Sequence, residues 1–210
     1  MSEFYPAFLN LSSQKCLVIG GGAVAERKIK HLLRCCAEVH VVSPDLTPFL
    51  SDLVEQGRII YFKRKFLPQD INAMFVVISA AGDKEVNSYL ASQCLNNKFL
   101  LNIVDDPRKC NFFMPSILKR GKLQIAISTS GASPLLAHKL RKRLEDEFGN
   151  EYEQFLDILA EARKEVFLNV AEPEKRKQIY QALIDSDILE LLKTGDDAKV
   201  KERISQCLYW

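Results

Sequence analysis

Residues 16–28 have the sequence Cys-Leu-Val-Ile-Gly-Gly-Gly-Ala-Val-Ala-Glu-Arg-Lys, in which a short apolar run meets three glycines and then a helical pattern. Gly20, Gly22 and Ala25 match the small residues of G-x-G-x-x-G/A, the turn between the first strand and helix of dinucleotide-binding folds. Gly20 permits a tight turn, Gly22 leaves room for a pyrophosphate, and Ala25 lets the helix pack on the strand. The free N–H groups at the helix start favour phosphate. Because the motif lies between a clear strand and a clear helix, we predict dinucleotide binding rather than a purely structural turn.

Strand and helix patterns alternate on both sides of this motif, as far as about residue 112. Strands are predicted at 15–19, 38–42, 58–62, 75–79 and 99–104, and helices at 23–34, 46–56 and 85–96. This alternation predicts an α/β fold with a doubly wound, Rossmann-type parallel sheet.

The pattern changes after this region. Residues 123–128 alternate apolar and polar side chains, as in a half-exposed strand, and a basic helix runs from Pro134 to about Glu147. After a break at Gly149-Asn150, amphipathic helices are predicted at 152–170, 174–184 and 198–208. We therefore divide the chain into a Rossmann domain (1–112), a middle segment (113–148) and a small helical C-terminal region (149–210).

Composition excludes several classes of protein. The formal net charge of the 210 residues is +2, which does not indicate a broad basic surface for nucleic acid. The N-terminal residues do not resemble a signal peptide, and the longest apolar run, at 74–81, is too short to cross a membrane. The six cysteines form no C-x-x-C pair, so we expect a reduced cytoplasmic protein with no metal site.

Two acidic residues follow predicted strands. Asp45 comes after the second strand, where it either binds the ribose hydroxyls of a dinucleotide or caps the next helix. No arginine directly follows this strand, which favours NAD over NADP. Asp105 comes after the fifth strand, at the edge where open α/β sheets bind ligands, and is a candidate general base. The sequence Asp105-Asp106-Pro107 is equally typical of a turn, and the residues alone slightly favour the turn.

Taken together, four stretches resemble the precorrin-2 dehydrogenases, which make sirohydrochlorin for sirohaem and some cobalamins, and the N-terminal module of sirohaem synthases. They are residues 18–28, 102–107, 113–116 and 127–134, the last running into Leu140-Arg141. The resemblance covers residues 1–148 in detail and the helical tail only in general character. One departure is Ala80-Ala81-Gly82, where many relatives have Ala-Thr-Asp, so we assign no side-chain cofactor contacts there.

The resemblance implies NAD-dependent dehydrogenation of precorrin-2 to sirohydrochlorin by a homodimer that pairs through residues 113–148. Asp105 matches the essential aspartate of the family, which favours the general base over the turn. Six residues match the family's cofactor contacts, and we also include Asn102. The candidate cofactor-binding residues are therefore Gly20, Gly22, Ala23, Val24, Pro44, Asp45 and Asn102.

A tetrapyrrole polycarboxylate requires cations and hydrogen-bonding side chains around its site. The candidates for binding it are Arg108, Lys109, Arg120, Thr129, His138 and Arg141. The alternative for the basic residues is a solvated helix face, which charge runs commonly form.

Three other functions stay open. A bifunctional enzyme would also insert ferrous iron into sirohydrochlorin, with Asp105 accepting the pyrrole protons. A non-catalytic sensor would bind the dinucleotide and need only the glycine turn. A DNA-binding protein would use the basic residues 139–143, but the near-neutral total charge disfavours it.

Overall fold

The computed structural model of the protein describes residues 4–208, except the side chain of Leu95, and they form two compact units whose boundary along the chain lies between Met114 and Pro115. Each unit has its own hydrophobic core. The division of the chain into three parts, with boundaries after residues 112 and 148, stays a prediction. No helix within residues 4–208 is long and apolar enough to cross a membrane.

The first unit is built on a five-stranded parallel sheet with strand order β3-β2-β1-β4-β5, which confirms the doubly wound fold. The strands are β1 (Lys15–Ile19), β2 (Glu38–Val42), β3 (Ile60–Phe62), β4 (Val76–Ser79) and β5 (Leu100–Ile103). The helices are α1 (Ala23–Arg34), α2 (Pro48–Glu55) and α3 (Lys84–Asn97), with 3₁₀ turns at Pro68–Ile71 and Pro107–Lys109.

Both faces of this sheet are covered, which explains the nearly continuous apolar strands. Cys16 and Val18 of β1 pack in a core cluster that contains Ala25 and Ile29 of α1. Leu17 and Ile19 of β1 belong to a second cluster that contains Leu90 of α3. Successive residues of one strand therefore enter opposite cores, as the two-residue period of a strand requires.

The second unit combines a β-hairpin with five helices. An antiparallel pair is formed by β6 (Ser116–Arg120) and β7 (Leu123–Ile127). The helices are α4 (Pro134–Glu147), α5 (Glu151–Asn169), α6 (Pro173–Ile184), α7 (Ile188–Thr194) and α8 (Asp197–Leu208). The helical C-terminal region is therefore confirmed.

Two elements of this unit were absent from the sequence prediction. The first is β6, whose buried Leu118 lies between the exposed Ile117 and Lys119, so no clear apolar alternation marks the strand. The second is α7, which has seven residues and is too short for a helical period to stand out.

Candidate active site

The glycine turn leaves β1 at the point where the strand order reverses between β1 and β4. Gly20 has φ +117°, a conformation that favours glycine. A Cβ on Gly20 would lie 3.0 Å from the backbone carbonyl carbon and oxygen of Ala80, which follows β4. Gly20 therefore allows the turn and also the close approach of the two strand ends.

Gly21 was not singled out by sequence reasoning, because the motif leaves its second position free. A Cβ at this position would overlap the backbone oxygen of Asp45 and would lie 2.8 Å from Cδ2 of Leu46. The loop after β2 thus lies directly on the Gly21 backbone. The sequence signal for Gly21 was the run of three glycines at residues 20–22, of which the motif requires only two.

Gly22 has the opposite environment, since no atom would lie within 4 Å of a Cβ placed there. Gly22, Ala23 and Val24 are exposed, and Gly22 precedes α1 without a side chain that caps the helix. The N–H groups of the first turn of α1 are therefore open to a ligand. An open glycine at the start of a helix is the arrangement that a dinucleotide pyrophosphate requires, so these residues fit the cofactor.

The loop after β2 brings Pro44 and Asp45 to the same edge of the sheet, where both are exposed. The Tyr61 hydroxyl donates hydrogen bonds to the backbone oxygens of Ser43 (2.9 Å) and Pro44 (3.3 Å). Burial, together with the charge of Asp45, raises the pKa of Tyr61. The alternative that Asp45 caps the next helix is wrong, because Thr47 precedes α2 and accepts the Leu50 N–H.

Asp105 lies in a short loop that begins where β5 ends, and the residues after the loop hold it there. The Asn111 side chain accepts a hydrogen bond from Leu101 N (2.6 Å) and donates one to Phe99 O (3.1 Å). Sγ of Cys110 accepts a hydrogen bond from Ile103 N (3.1 Å). Asn111 thus supplies the edge of β5 with the bonds of a further strand, and Asp105 is exposed at the carboxyl end of the sheet.

The residues next to Asp105 interact mainly with one another. The Asp106 carboxylate forms ion pairs with Lys109 (3.4 Å) and Arg108 (3.8 Å). Lys109 Nζ also donates to Ser88 Oγ (3.1 Å), which ties it to α3. The Arg108 side chain is 94% exposed. Of the two predicted substrate-binding cations in this loop, Arg108 is the more exposed to solvent.

Asn102 is buried in β5, and its Nδ2 donates to the backbone oxygen of Phe112 (3.1 Å). The amide thereby supports the segment that follows the Asp105 loop. Its assignment as a cofactor contact stays a prediction.

The other predicted substrate residues belong to the second unit. Arg120 donates to the backbone oxygens of Phe148 (2.9 Å) and Glu145 (3.3 Å), which end α4. Arg141 pairs with Glu145 and lies 3.4 Å from Nδ1 of the exposed His138. The Thr129 hydroxyl accepts a hydrogen bond from Ser133 N (3.0 Å) in the turn before α4.

Two family models match the chain, one over most of the first unit and one over an early part of the second. A model described as putative NAD(P)-binding matches residues 7–116, and one described as sirohaem biosynthesis protein central matches residues 120–147. The chain belongs to the precorrin-2 dehydrogenase and sirohaem synthase family. The resemblance stated from the motifs is thus confirmed, as is a nicotinamide cofactor for this family member.

Individual relatives agree with this family assignment. Siroheme synthases of Thioalkalivibrio sulfidiphilus and Nitrosomonas europaea are each 34% identical over 98% of this chain. The chain spans 42% and 44% of their respective lengths. A solved structure described as SirC, precorrin-2 dehydrogenase, superposes with a TM-score of 0.82 at 27% identity, covering 97% of this chain and 98% of that one.

Proposed function

We propose that the protein is an NAD-dependent precorrin-2 dehydrogenase that forms sirohydrochlorin for sirohaem or cobalamin biosynthesis. One observation carries the proposal. The glycine turn after β1 and the Asp105 loop after β5 leave the same edge of one parallel sheet. Open α/β sheets bind ligands at this edge. The similarity to a precorrin-2 dehydrogenase over nearly the whole chain supports the choice of substrate.

In this reaction, each part of the site would have its own role. The glycine turn and the start of α1 bind the pyrophosphate, and Asp45 binds the ribose. Hydride acceptance is the chemistry that the nicotinamide supplies when bound. Asp105 accepts the proton that the substrate loses. Within residues 4–208 its carboxylate makes no ion pair or hydrogen bond, whereas Asp106 is paired, so Asp105 is the available base.

The substrate carboxylates would be bound by cations near this edge. The free protein favours Arg108, because its side chain is 94% exposed and its one ion pair, with Asp106, is long at 3.8 Å. Lys109 and Arg120 are held more closely by internal partners. Arg141, His138 and Thr129 remain proposed contacts in the second unit.

We favour NAD over NADP because the charge of Asp45 would repel a 2′-phosphate. We also propose a homodimer, since α4 exposes Leu135, Leu136 and Leu140, with 79%, 48% and 37% of each residue accessible. An apolar patch of this kind on a helix is typical of a protein interface.

The test is an anaerobic assay with precorrin-2 made in situ and NAD, followed by NADH absorbance and the tetrapyrrole spectrum. Stoichiometric NADH and sirohydrochlorin are expected, with slower turnover when NADP replaces NAD. Adding ferrous iron to the same sample tests the bifunctional alternative. Absence of turnover in folded protein that binds NADH would contradict the proposal and favour the dinucleotide sensor.

A further inference from the structure

The loop of residues 43–47, which we call the ribose loop, carries Asp45 and lies against the glycine turn. We propose that Thr47 is a positioning residue that fixes the ribose loop to the glycine turn and so sets the spacing between the two halves of the cofactor site. The inference rests on the proposed cofactor role of both segments.

Thr47 forms hydrogen bonds with three different segments of the first unit. Its backbone N–H donates to Gly21 O at 2.9 Å, in the glycine turn. Its hydroxyl donates to Oε2 of Glu26 at 2.7 Å, in the first turn of α1. The same hydroxyl accepts the N–H of Leu50 at 3.3 Å and so caps α2. The Thr47 side chain thus joins α1, which follows the glycine turn, to α2, which follows the ribose loop.

Glu26 makes this bond important, because it places a carboxylate near the helix end that would receive the pyrophosphate. Two anions close to one helix N-terminus repel each other. In the structure, the Lys30 ammonium lies 2.5 Å from one oxygen of Glu26 and the Thr47 hydroxyl bonds the other. The Lys30 Nζ also lies 3.9 Å from the ring centroid of Phe49 in α2. Both oxygens of Glu26 are therefore held by partners beside the site.

Loss of the Thr47 hydroxyl would remove the donor from Glu26 and one of the ties that hold the ribose loop. The loop would keep its backbone bond to Gly21 but lose its fixed distance from α1. Affinity for a ligand that spans two segments depends on their being arranged before binding. The effect should therefore appear in the dissociation constant and KM for the cofactor, and not in kcat at saturation.

Three substitutions separate positioning from helix capping. Thr47→Ser keeps both hydroxyl bonds. Thr47→Val loses both. Thr47→Asp keeps a good cap for α2 but has no proton to donate to Glu26. Titration with NADH, followed by its fluorescence, should show dissociation constants raised about tenfold for the Val and Asp variants, the usual effect of losing a hydrogen bond to a charged group. The Ser variant should stay within about twofold of the wild type.

Thr194→Val is the matched control, since the Thr194 hydroxyl donates to Leu191 O within α7 of the other unit. This variant should bind NADH like the wild type. Wild-type affinity in Thr47→Val, or in Thr47→Asp alone, would overturn the proposal, the second outcome leaving Thr47 as a helix cap. If Thr47→Val does not fold, Thr47→Ala takes its place, because it removes the same hydroxyl without adding a charge. Failure of the wild type to bind NADH would instead contradict the proposed function.

Discussion

Asp105 and Asp106 are adjacent carboxylates with different surroundings. Asp106 is paired with Arg108 and Lys109, whereas Asp105 has no partner within residues 4–208. The Asp106 carboxylate is therefore engaged with neighbouring cations, whereas the Asp105 carboxylate is free to contact a substrate. The difference supports Asp105 as the proposed base, a distinction that the sequence Asp-Asp-Pro does not make by itself.

We expect Asp105→Asn to lower kcat by about 10²–10⁴-fold, the usual contribution of a general base. The dissociation constant for NADH should stay unchanged, because the asparagine keeps the shape of the loop. Asp106→Asn is the matched control and should lower kcat by no more than about tenfold, since it removes only ion pairs at the surface. Equal losses in the two variants would contradict the assignment of Asp105.

Substitution by alanine should have different effects at Gly21 and Gly22, lowering stability at the first and cofactor affinity at the second. Gly21→Ala forces a Cβ into the Asp45 carbonyl and should lower the free energy of unfolding by about 2 kcal/mol or more. Gly22→Ala meets open space and should change stability by less than about 0.5 kcal/mol. It should still weaken NADH binding, because its methyl group occupies the space over the turn. Urea unfolding and NADH titration measure the two effects, and a Gly22→Ala variant with normal affinity would contradict the site.

At the level of elements, β1 forms the centre of the sheet, with β2 on one side and β4 on the other. Cys16 is fully buried there, and desolvation by burial raises the pKa of its thiol from 9.0 to about 11. The unfolded chain therefore ionises this thiol at lower pH than the folded protein does. The contribution of the neutral thiol to stability is complete below pH 9 and is lost as the pH rises toward 11.

We expect the free energy of unfolding to fall between pH 9 and 11, with Cys16 accounting for about 2–3 kcal/mol of the loss. Cys16→Ala should make this fall shallower, although it lowers stability at neutral pH by leaving a small cavity. Cys36→Ala is the control, since Cys36 is exposed. Urea unfolding at several pH values is the measurement, and equal slopes in the wild type and Cys16→Ala would contradict the assignment.

The contacts of β5 also explain how Asp105, the candidate base, is kept in position. Asn111 bonds the backbone of β5 as a neighbouring strand would, and this covers the edge of the sheet and closes the Asp105 loop. Unpaired strand edges otherwise invite pairing with other chains. One side chain thus protects the edge and fixes the loop.

At the scale of the whole molecule, the second unit exposes three leucines of α4, which are Leu135, Leu136 and Leu140. Leu136→Glu should convert the proposed dimer to a monomer, because burying an unpaired carboxylate at an interface is strongly unfavourable. The helix itself should tolerate the change, since a glutamate at this position would complete a capping box with Ser133. Light scattering after gel filtration measures the mass.

Leu168→Glu is the matched control, because Leu168 is an even more exposed leucine on α5 of the same unit, 81% accessible. This variant should keep the mass of the wild type. A monomeric wild type, or a Leu136→Glu variant that stays dimeric, would contradict the interface on α4.

The sequence by itself determined the parallel sheet, the glycine turn and the helical tail. These features depend on local signals: apolar runs of strand length, small residues at fixed spacing, and helices long enough to show their period. The motifs also indicated Asp105 and the family, both from residues that lie close together along the chain.

Only the tertiary structure revealed the role of Gly21, the hydrogen bonds that join Thr47 to three segments, and the different surroundings of Asp105 and Asp106. Each depends on which backbone or side chain comes to lie beside the residue, often from a distant part of the sequence. Gly21 meets Asp45, and Thr47 meets Glu26, because parallel strands bring their carboxyl ends to one edge. These contacts cannot be predicted from the spacing of residues along the chain, because the packing of strands and helices creates them.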